Sequence, residues 1–361
     1  MMNFKVQNME FSGCISTDNE MLIKSYSHDY CVMFNNNNLK QIIAEQYDEN
    51  DFLLIDRNVY NLDKTSIENI NNKNIYFFDA TEDNKVIEQV LIIIDILFNL
   101  KFTKKNKVLV IGGGITQDVG GMTCALYKRG LKWVFVPTTL LSMTDSAIGG
   151  KVGINRNSKN ILALFVAPTN IIISDYFLDS LKEEDIISGL GESLKLALTG
   201  GNQCVDFFKD NLKTKNYINI IKMSTSVKKI IIEYDELEKN ERRVLNYGHT
   251  IGHALETSTN YFIPHGIAVL YGILIKNMLF YDDKYNDLNL YILELIPNQF
   301  KKININYHLF LDSMLNDKKN KGNKVCFVLL EEFGNSIFVF KELDEINYKL
   351  KKIIEDLFIC L

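Results

Sequence analysis

The sequence predicts an α/β domain built on an open parallel sheet, followed by a mainly α-helical domain. Short apolar runs alternate with helix-like segments in the first half, and long stretches of helical periodicity replace them from about Leu181. Strands that alternate with helices are typical of a parallel sheet covered on both faces. The chain of 361 residues is long enough for two domains of ordinary size. We therefore expect one domain over residues 1–180 and a second over residues 181–361.

Four apolar runs in the first half are predicted to be strands, because each ends in a polar or glycine-rich turn. They lie at residues 52–55, 75–78, 108–111 and 133–136. Residues 85–100, between the second and third runs, have the apolar periodicity of a helix. In the second half, helical stretches cover residues 183–199, 217–236, 241–258 and 266–281, and a strand pattern returns at residues 324–330.

Composition excludes several classes of protein. The net charge is -5 and there is no long basic run, which argues against a nucleic-acid-binding surface. The apolar run at residues 90–100 is too short to span a bilayer. Six scattered cysteines without a C-x-x-C pair are typical of reduced thiols, and residues 1–10 lack the pattern of a secretory signal. We expect a cytoplasmic protein with no nucleic-acid or membrane partner.

An unusual polar pattern marks residues 242–265. If residues 241–258 form one helix, its normally buried face carries Arg242, Asn246, His249 and His253. Buried polar groups need a partner, and a ligand would provide one. Of the five histidines, three lie within residues 249–265, and neutral imidazole is a common zinc ligand. A solvated helix face would explain two of these histidines, but the whole pattern favours a metal or anion site.

Glu192 and Lys195 lie three residues apart on a predicted helix, where they either form a surface ion pair or are buried together. Apolar neighbours and two adjacent glycines favour burial, and a buried carboxylate must be paired or bind a metal. With His249 and His265, Glu192 would complete a zinc site of two histidines and one carboxylate with an open position.

Glycines follow the predicted strand at residues 108–111. The run from Gly112 to Gly114 would let the backbone approach a pyrophosphate at a helix N-terminus, although a bare tight turn explains it equally well. Asp56 and Glu82, each beyond a predicted strand, are either acceptors for ribose or adenine groups or ordinary loop acids. Lys151 follows two glycines and could meet a phosphate, but the Walker spacing is absent, so an NTPase is not supported.

Taken in order along the chain, these motifs resemble the 3-dehydroquinate synthase family of sugar phosphate cyclases. The resemblance runs from about Asp56 to Gly334. Its motifs are Gly112-Gly113-Gly114 with Asp118, Arg129-Gly130, residues 137–141, residues 145–155 with Lys159-Asn160, Glu192-x-x-Lys195, Asp235-Glu236, residues 242–256 with His265-Gly266, Asp317-Lys318-Lys319 and residues 327–330.

The resemblance implies a reaction in which NAD is a regenerated cofactor. In this family, bound NAD oxidises a secondary alcohol of a cyclic sugar phosphate, phosphate is eliminated, NADH returns the hydride, and an intramolecular aldol reaction closes a carbocycle. Zinc, or cobalt in its place, would act as a Lewis acid. The implied enzyme is a carbon–oxygen lyase that converts 3-deoxy-arabino-heptulosonate 7-phosphate to 3-dehydroquinate and phosphate in the shikimate pathway of aromatic amino acid biosynthesis.

The resemblance also implies roles for the matching residues, in a Rossmann-like NAD-binding domain followed by a helical metal- and substrate-binding domain. The metal ligands would be Glu192, His249 and His265. The NAD-binding residues would be Asp56, Asn58, Glu82, Lys85, Gly112, Gly113, Gly114, Asp118, Thr138, Thr139 and Lys159. The catalytic residues would be Lys151, Lys195, Lys228, Arg242, Asn246 and His253. The substrate-binding residues would be Arg129, Asp145, Asn160, Lys318 and Lys319.

Two of these matches bear on the substrate and the assembly. Lys228 and Arg242 look like residues that bind a carboxylate, which favours 3-deoxy-arabino-heptulosonate 7-phosphate as the substrate. Arg129 resembles the arginine that reaches the phosphate bound by the neighbouring subunit, which implies a homodimer.

Three departures from the family pattern keep other functions open. Asp79-Ala80-Thr81 replaces the glycine-rich segment that usually precedes the position of Glu82. Ala163-Leu164 stands where the family has a glycine after Asn160, and the N-terminal segment, residues 1–28, is longer than is usual in the family. A related cyclase acting on sedoheptulose 7-phosphate or glucose 6-phosphate is therefore an alternative. A metal-dependent NAD polyol dehydrogenase has a similar domain order but lacks the cations for phosphate and carboxylate, and a silent binding homologue is a third class.

Overall fold

A computed structural model gives the placement of residues 1–316 and 324–360. Its strands are β1 Met2–Val6, β2 Met9–Gly13, β3 Glu20–Ile23, β4 Tyr30–Asn35, β5 Phe52–Asp56, β6 Ile75–Phe78, β7 Lys107–Gly112, β8 Lys132–Pro137, β9 Lys151–Ile154, β10 Leu162–Phe165, β11 Asn170–Ser174, β12 Asn304–Ile305, β13 Lys324–Glu332, β14 Asn335–Glu342 and β15 Ile359–Cys360. Its α-helices are α1 Leu39–Gln46, α2 Arg57–Leu62, α3 Ile87–Asn99, α4 Gly114–Leu126, α5 Glu183–Gly200, α6 Asn202–Lys213, α7 Tyr217–Tyr234, α8 His249–Ser258, α9 His265–Phe280, α10 Asn286–Leu295, α11 Tyr307–Leu315 and α12 Leu343–Leu357.

The first half forms a seven-stranded sheet in the order β3-β4-β11-β8-β7-β5-β6. Only β3 runs antiparallel to its neighbour; the other strands are parallel. All residues of β5 are buried, as are the last five of β7, because helices cover both faces of the sheet. The four predicted strands correspond to β5, β6, β7 and β8, and the expected α/β fold is confirmed.

The strand order reverses between β5 and β7. The chain leaves β5 for β6 on one side and then returns to place β7 on the other side. In open α/β sheets, ligands bind beyond the carboxyl ends of strands at such a switch point. Asp56 ends β5 and Gly112 ends β7, so the fold brings these two predicted cofactor-binding positions to the same edge.

The second half is mainly helical, as expected. Helix α9 lies at its centre, packed against α5, α8, α10 and α12, and almost all its side chains are buried. Such a helix is apolar on every side because neighbours surround it. Helix α6 was not predicted from the sequence. Among the described residues, no helix is both long and apolar enough to cross a membrane.

A small second sheet joins the two ends of the chain. Its order is β13-β14-β1-β2, with β1 parallel to β14 and antiparallel to β2. Strand β1 therefore pairs with a strand of the second half and β2 joins that sheet through β1, whereas β3 and β4 extend the main sheet. The domain boundary at residue 180 remains a prediction. Strands β1 and β2 precede it in the sequence but belong to the same sheet as β13 and β14 of the second half.

The predicted single helix over residues 241–258 is wrong. A 3₁₀ helix covers Glu241–Asn246, Gly248 adopts a left-handed φ of 81°, and α8 begins only at His249. Glycine adopts this conformation readily, and a Cβ at Gly248 would lie 2.8 Å from the carbonyl oxygen of Val269 on α9. Arg242 and Asn246 therefore do not share a helix with the histidines, and the turn at Gly248 separates them from α8.

Candidate active site

Three histidines meet where α8 and α9 begin. His249 and His253 lie one turn apart on α8, and His265 is the first residue of α9. Their ligand nitrogens all lie within 4.8 Å of one another. His249 is buried, His265 is intermediate and His253 is exposed, so the cluster opens on the side of His253. The geometry thus places His253 beside the two histidines that the sequence assigned to the metal.

Glu192 faces this cluster from α5, with its side chain fully buried. Its Oε1 lies 3.5 Å from Nε2 of His249 and 3.3 Å from Nε2 of His265. Oε2 forms an ion pair with Lys195 Nζ, but neither carboxylate oxygen accepts a hydrogen bond from the described residues. The Glu192–Lys195 pair is therefore buried rather than a surface pair. A buried carboxylate beside two imidazole nitrogens fits a divalent metal.

Glu256 contacts the histidine cluster through His265. Its Oε2 lies 3.1 Å from His265 Nδ1, and its Oε1 lies 3.3 Å from Lys159 Nζ. Burial alone would lower the pKa of His265, but Glu256 and Glu192 outweigh it and raise that pKa to about 10. The two carboxylates thus favour positive charge at this position, which a bound metal would supply. Glu256 would then orient the ligand through Nδ1, as carboxylates beside metal-bound histidines do.

Asp145 holds two buried lysines in a second cluster. It lies in the π-helical turn Ser142–Ser146, 2.6 Å from Lys228 Nζ and 3.6 Å from Lys195 Nζ. Burial alone would raise the pKa of Asp145, but the two lysines hold it well below the usual range. Burial lowers the pKa of Lys228 to about 8, although Asp145 opposes that shift. Asp145 is therefore the counter-ion of Lys195 and Lys228, in addition to its predicted place in the substrate site.

Glu238 connects two predicted catalytic residues. Its carboxylate forms an ion pair with Lys151 Nζ, and its Oε1 accepts a hydrogen bond from Asn246 Nδ2 at 2.8 Å. Sequence reasoning missed Glu238. Its only signal was its position in the charged loop that begins with the Asp235-Glu236 motif.

Arg242 is 1% exposed and lies beside these lysines. Its Nη1 donates to the carbonyl oxygen of Glu236, and its Nη2 donates to that of Gly149 at 3.1 Å. Its guanidinium carbon lies 5.6 Å from the centre of the Phe165 ring. Nε is buried, and no described residue accepts a hydrogen bond from it. A fixed guanidinium among lysines suits an anionic ligand.

The predicted NAD-binding residues follow the carboxyl ends of β5 to β8. Asp56 Oδ1 accepts a hydrogen bond from the Asn58 amide at 2.8 Å, and the Thr138 amide donates to the Gly112 carbonyl at 3.0 Å. Gly113 precedes α4 without a side-chain cap, so the first amides of that helix can face an anion. Thr139 Oγ1 bonds to Ser142 Oγ, and a Cβ at Gly113 would lie 3.1 Å from Thr139 Cγ2.

Other members of the NAD set are paired with each other or with β9 and the loop after it. Lys85 Nζ lies 2.6 Å from Asp118 Oδ2, and Asp118 Oδ1 accepts a hydrogen bond from the Gly153 amide at 2.9 Å. Glu82 Oε1 accepts a hydrogen bond from Asn155 Nδ2 at 2.8 Å. These contacts tie the loop after β6 to α4 and to the β9 region at one edge of the sheet.

The remaining substrate-binding predictions have different outcomes. Arg129 is exposed just after α4, and its carbonyl oxygen accepts a hydrogen bond from Lys104 Nζ at 3.5 Å. Asn160 is exposed, and its amide donates to Asn155 Oδ1 at 2.9 Å. Lys318 and Lys319 lie outside the described residues.

Known proteins match nearly all of the chain. The family model for the 3-dehydroquinate synthase N-terminal domain matches residues 75–188, and that for the C-terminal domain matches residues 189–320. The 3-dehydroquinate synthase of Pelagibacter ubique (strain HTCC1062) is 35% identical in an alignment of 367 positions that covers 92% of this chain and 98% of that protein. The chain belongs to the 3-dehydroquinate synthase family. It is an enzyme of the 3-dehydroquinate synthase type, a carbon–oxygen lyase, and the family expected from the motifs is confirmed.

Two solved structures share the fold. A 2-deoxy-scyllo-inosose synthase in complex with carbaglucose-6-phosphate, NAD+ and Co2+ has a TM-score of 0.80 at 19% identity, covering 92% of this chain and 99% of its own. A 2-epi-5-epi-valiolone synthase from Streptomyces hygroscopicus subsp. jinggangensis 5008, with NAD+ and Zn2+ bound, has a TM-score of 0.74 at 21% identity, covering 91% and 97%. At these identities the likeness bears on the fold, which agrees with the expected α/β domain followed by a helical one.

Proposed function

We propose that this protein converts 3-deoxy-arabino-heptulosonate 7-phosphate to 3-dehydroquinate and phosphate, as the 3-dehydroquinate synthase of the shikimate pathway. The observation that carries the proposal is the group of cations beside the histidine cluster. Lys195, Lys228 and Arg242 are all buried there. A substrate with both a phosphate and a carboxylate needs several such charge-assisted donors.

NAD and a divalent metal, Zn2+ or Co2+, are the proposed cofactors. When bound, NAD supplies a hydride acceptor that is restored in each turnover, and the metal supplies a Lewis acid for the substrate oxygens. Glu192, His249 and His265 would hold the metal, and the residues at the carboxyl ends of β5 to β8 would hold NAD. Both assignments are supported by the chemistry of the side chains brought together there.

The remaining side chains would bind and orient the substrate. Lys228 and Arg242 would bind its carboxylate, and Lys151 would bind its phosphate. His253 lies on the exposed side of the histidine cluster, with its ring centre 5.7 Å from that of His265. It is therefore placed to hold or pass a proton without being buried among the ligands.

We also propose a homodimer in which Arg129 reaches the site of the partner. Two features support this assembly. Arg129 is exposed, and β10 presents an exposed apolar edge formed by Leu162, Leu164 and Phe165. A cytoplasmic location remains a prediction from the scattered cysteines.

Comparing two substrates tests the proposal. With NAD and Zn2+ present, we expect phosphate release from 3-deoxy-arabino-heptulosonate 7-phosphate at a rate at least about 100-fold above that from sedoheptulose 7-phosphate, because only the first carries a carboxylate for Lys228 and Arg242. Phosphate would be assayed continuously, with a reaction lacking NAD as the control. Turnover of sedoheptulose 7-phosphate alone would instead identify a related cyclase.

A further inference from the structure

The strands β3 and β4 form an N-terminal hairpin, Glu20–Asn35, whose turn lies against the end of α7. Ser25 Oγ donates to Glu236 Oε1 at 2.6 Å, and the Tyr26 amide donates to Glu236 Oε2 at 2.5 Å. The Lys24 amide donates to Glu233 Oε1 at 2.8 Å. The turn of the hairpin therefore holds the beginning of the loop that leads to Arg242.

The hairpin makes a second contact through Tyr30, the first residue of β4 after the turn. This residue is 1% exposed, and its hydroxyl accepts a hydrogen bond from the Gly149 amide at 3.0 Å. Gly149 has a φ of 99°, and a Cβ there would lie 2.8 Å from Ile232 Cδ1 and 3.1 Å from Arg242 Cζ. Gly149 thus packs closely against the guanidinium of Arg242, while its amide is bound by the Tyr30 hydroxyl.

Both contacts converge on Arg242. The two carbonyl groups that accept hydrogen bonds from its guanidinium belong to Glu236 and Gly149. These are the two residues that the hairpin holds, one through Ser25 and Tyr26 and the other through Tyr30. The orientation of a buried guanidinium is set by its acceptors, so the hairpin acts on Arg242 through Glu236 and Gly149.

We propose that the N-terminal hairpin is a positioning element of the substrate site. Tyr30, through Gly149, and Ser25, through Glu236, hold the two carbonyl groups that aim Arg242 at an anionic group of the substrate. This inference rests on the proposed function in that Arg242 faces the substrate's carboxylate. A guanidinium held in place loses less freedom on binding, so the hairpin improves substrate affinity.

The test is Tyr30→Phe, which removes only the hydroxyl. Tyr26→Phe is the matched control, because the Tyr26 side chain is 90% exposed. We expect Tyr30→Phe to raise KM for the carboxylated substrate roughly three- to tenfold, the effect of one lost hydrogen bond, while kcat changes less than about twofold. Tyr26→Phe should match the wild type. An unchanged KM in Tyr30→Phe would overturn the proposal.

A double-mutant cycle separates positioning from a general structural effect. In the Arg242→Ala background, Tyr30→Phe should leave KM unchanged, because the residue through which it acts is gone. The same rise in KM in both backgrounds would mean that Tyr30 acts by another route.

Amide hydrogen exchange tests the positioning role of the hairpin without relying on turnover. It therefore shows whether a negative result concerns the hairpin or the proposed function. In Tyr30→Phe we expect faster exchange both at Gly149 and in the segment 235–243, with Tyr26→Phe unchanged. Faster exchange at Gly149 alone would show that the hairpin does not reach Arg242. If the wild-type protein released no phosphate, the proposed substrate would be wrong. The exchange rates would still show whether the hairpin restrains Gly149 and residues 235–243.

Discussion

Replacing His265 with alanine is expected to remove the bound metal and the activity together. His265 Nε2 lies 3.3 Å from Glu192 Oε1, and its Nδ1 lies 3.1 Å from Glu256 Oε2. Loss of a group that merely orients a ligand typically costs 10- to 100-fold in metal affinity. Loss of the ligand itself should therefore weaken Zn2+ binding by at least about 100-fold and reduce kcat/KM at least as much.

Metal content would be measured by elemental mass spectrometry after gel filtration, and activity by phosphate release. His308→Ala is the matched control, because the His308 side chain is 87% exposed and, among the residues with described positions, pairs with Asp312 on its own helix. It should retain metal and activity. Full activity in metal-free His265→Ala protein would mean that the histidine cluster is not the metal site.

Asp145→Asn is expected to lower the free energy of unfolding by about 3–5 kcal/mol at pH 7, and to abolish turnover. The substitution keeps the shape of the side chain but removes a carboxylate that pairs with two buried ammonium groups, Lys195 and Lys228, which are 1% and 6% exposed. Lys195 still pairs with Glu192, so Lys228 is the group that loses its carboxylate partner. An uncompensated buried charge costs far more than the pair contributes. Asp312→Asn, at a side chain that is 51% exposed, should change stability by less than about 0.5 kcal/mol.

The difference in the free energy of unfolding between the wild type and Asp145→Asn should become smaller as the pH rises. Burial lowers the pKa of Lys228 to about 8 in the folded protein, so between that value and its ordinary pKa the unfolded chain binds more protons and stability rises with pH. Without Asp145 the pKa of Lys228 falls further, because Asp145 raises it. Urea unfolding at pH 7 and pH 9 would measure this difference. Equal stability of variant and wild type at pH 7 would contradict the role of Asp145.

The main sheet could be predicted because parallel strands buried on both faces are read directly as apolar runs. Strands β5 to β8 carry that signal, and a polar or glycine-rich segment marks the end of each of them. The prediction of one helix over residues 241–258 is wrong for a local reason. Its apolar and polar periodicity continues across Tyr247 and Gly248, whereas the backbone turns there because Gly248 adopts a left-handed φ and packs closely on α9.

Long-range contacts could not be predicted from the sequence. The pairing of β1 with β14 joins opposite ends of the chain, and no local pattern marks it. The role of Glu238 depends on Lys151, which lies on β9 far away in the sequence. Glu256 stood inside a recognised motif, but only the fold places its carboxylate between Lys159 and His265.

We propose that NAD is restored in every turnover, and one measurement tests this most directly. Phosphate release and the absorbance of NADH would be followed together in the wild-type enzyme, with Zn2+, the carboxylated sugar phosphate and less NAD than substrate. We expect many phosphates released for each NAD, with no steady rise in NADH, as a cyclase requires. NADH that accumulates in step with substrate consumption, without phosphate, would identify a polyol dehydrogenase and contradict this account.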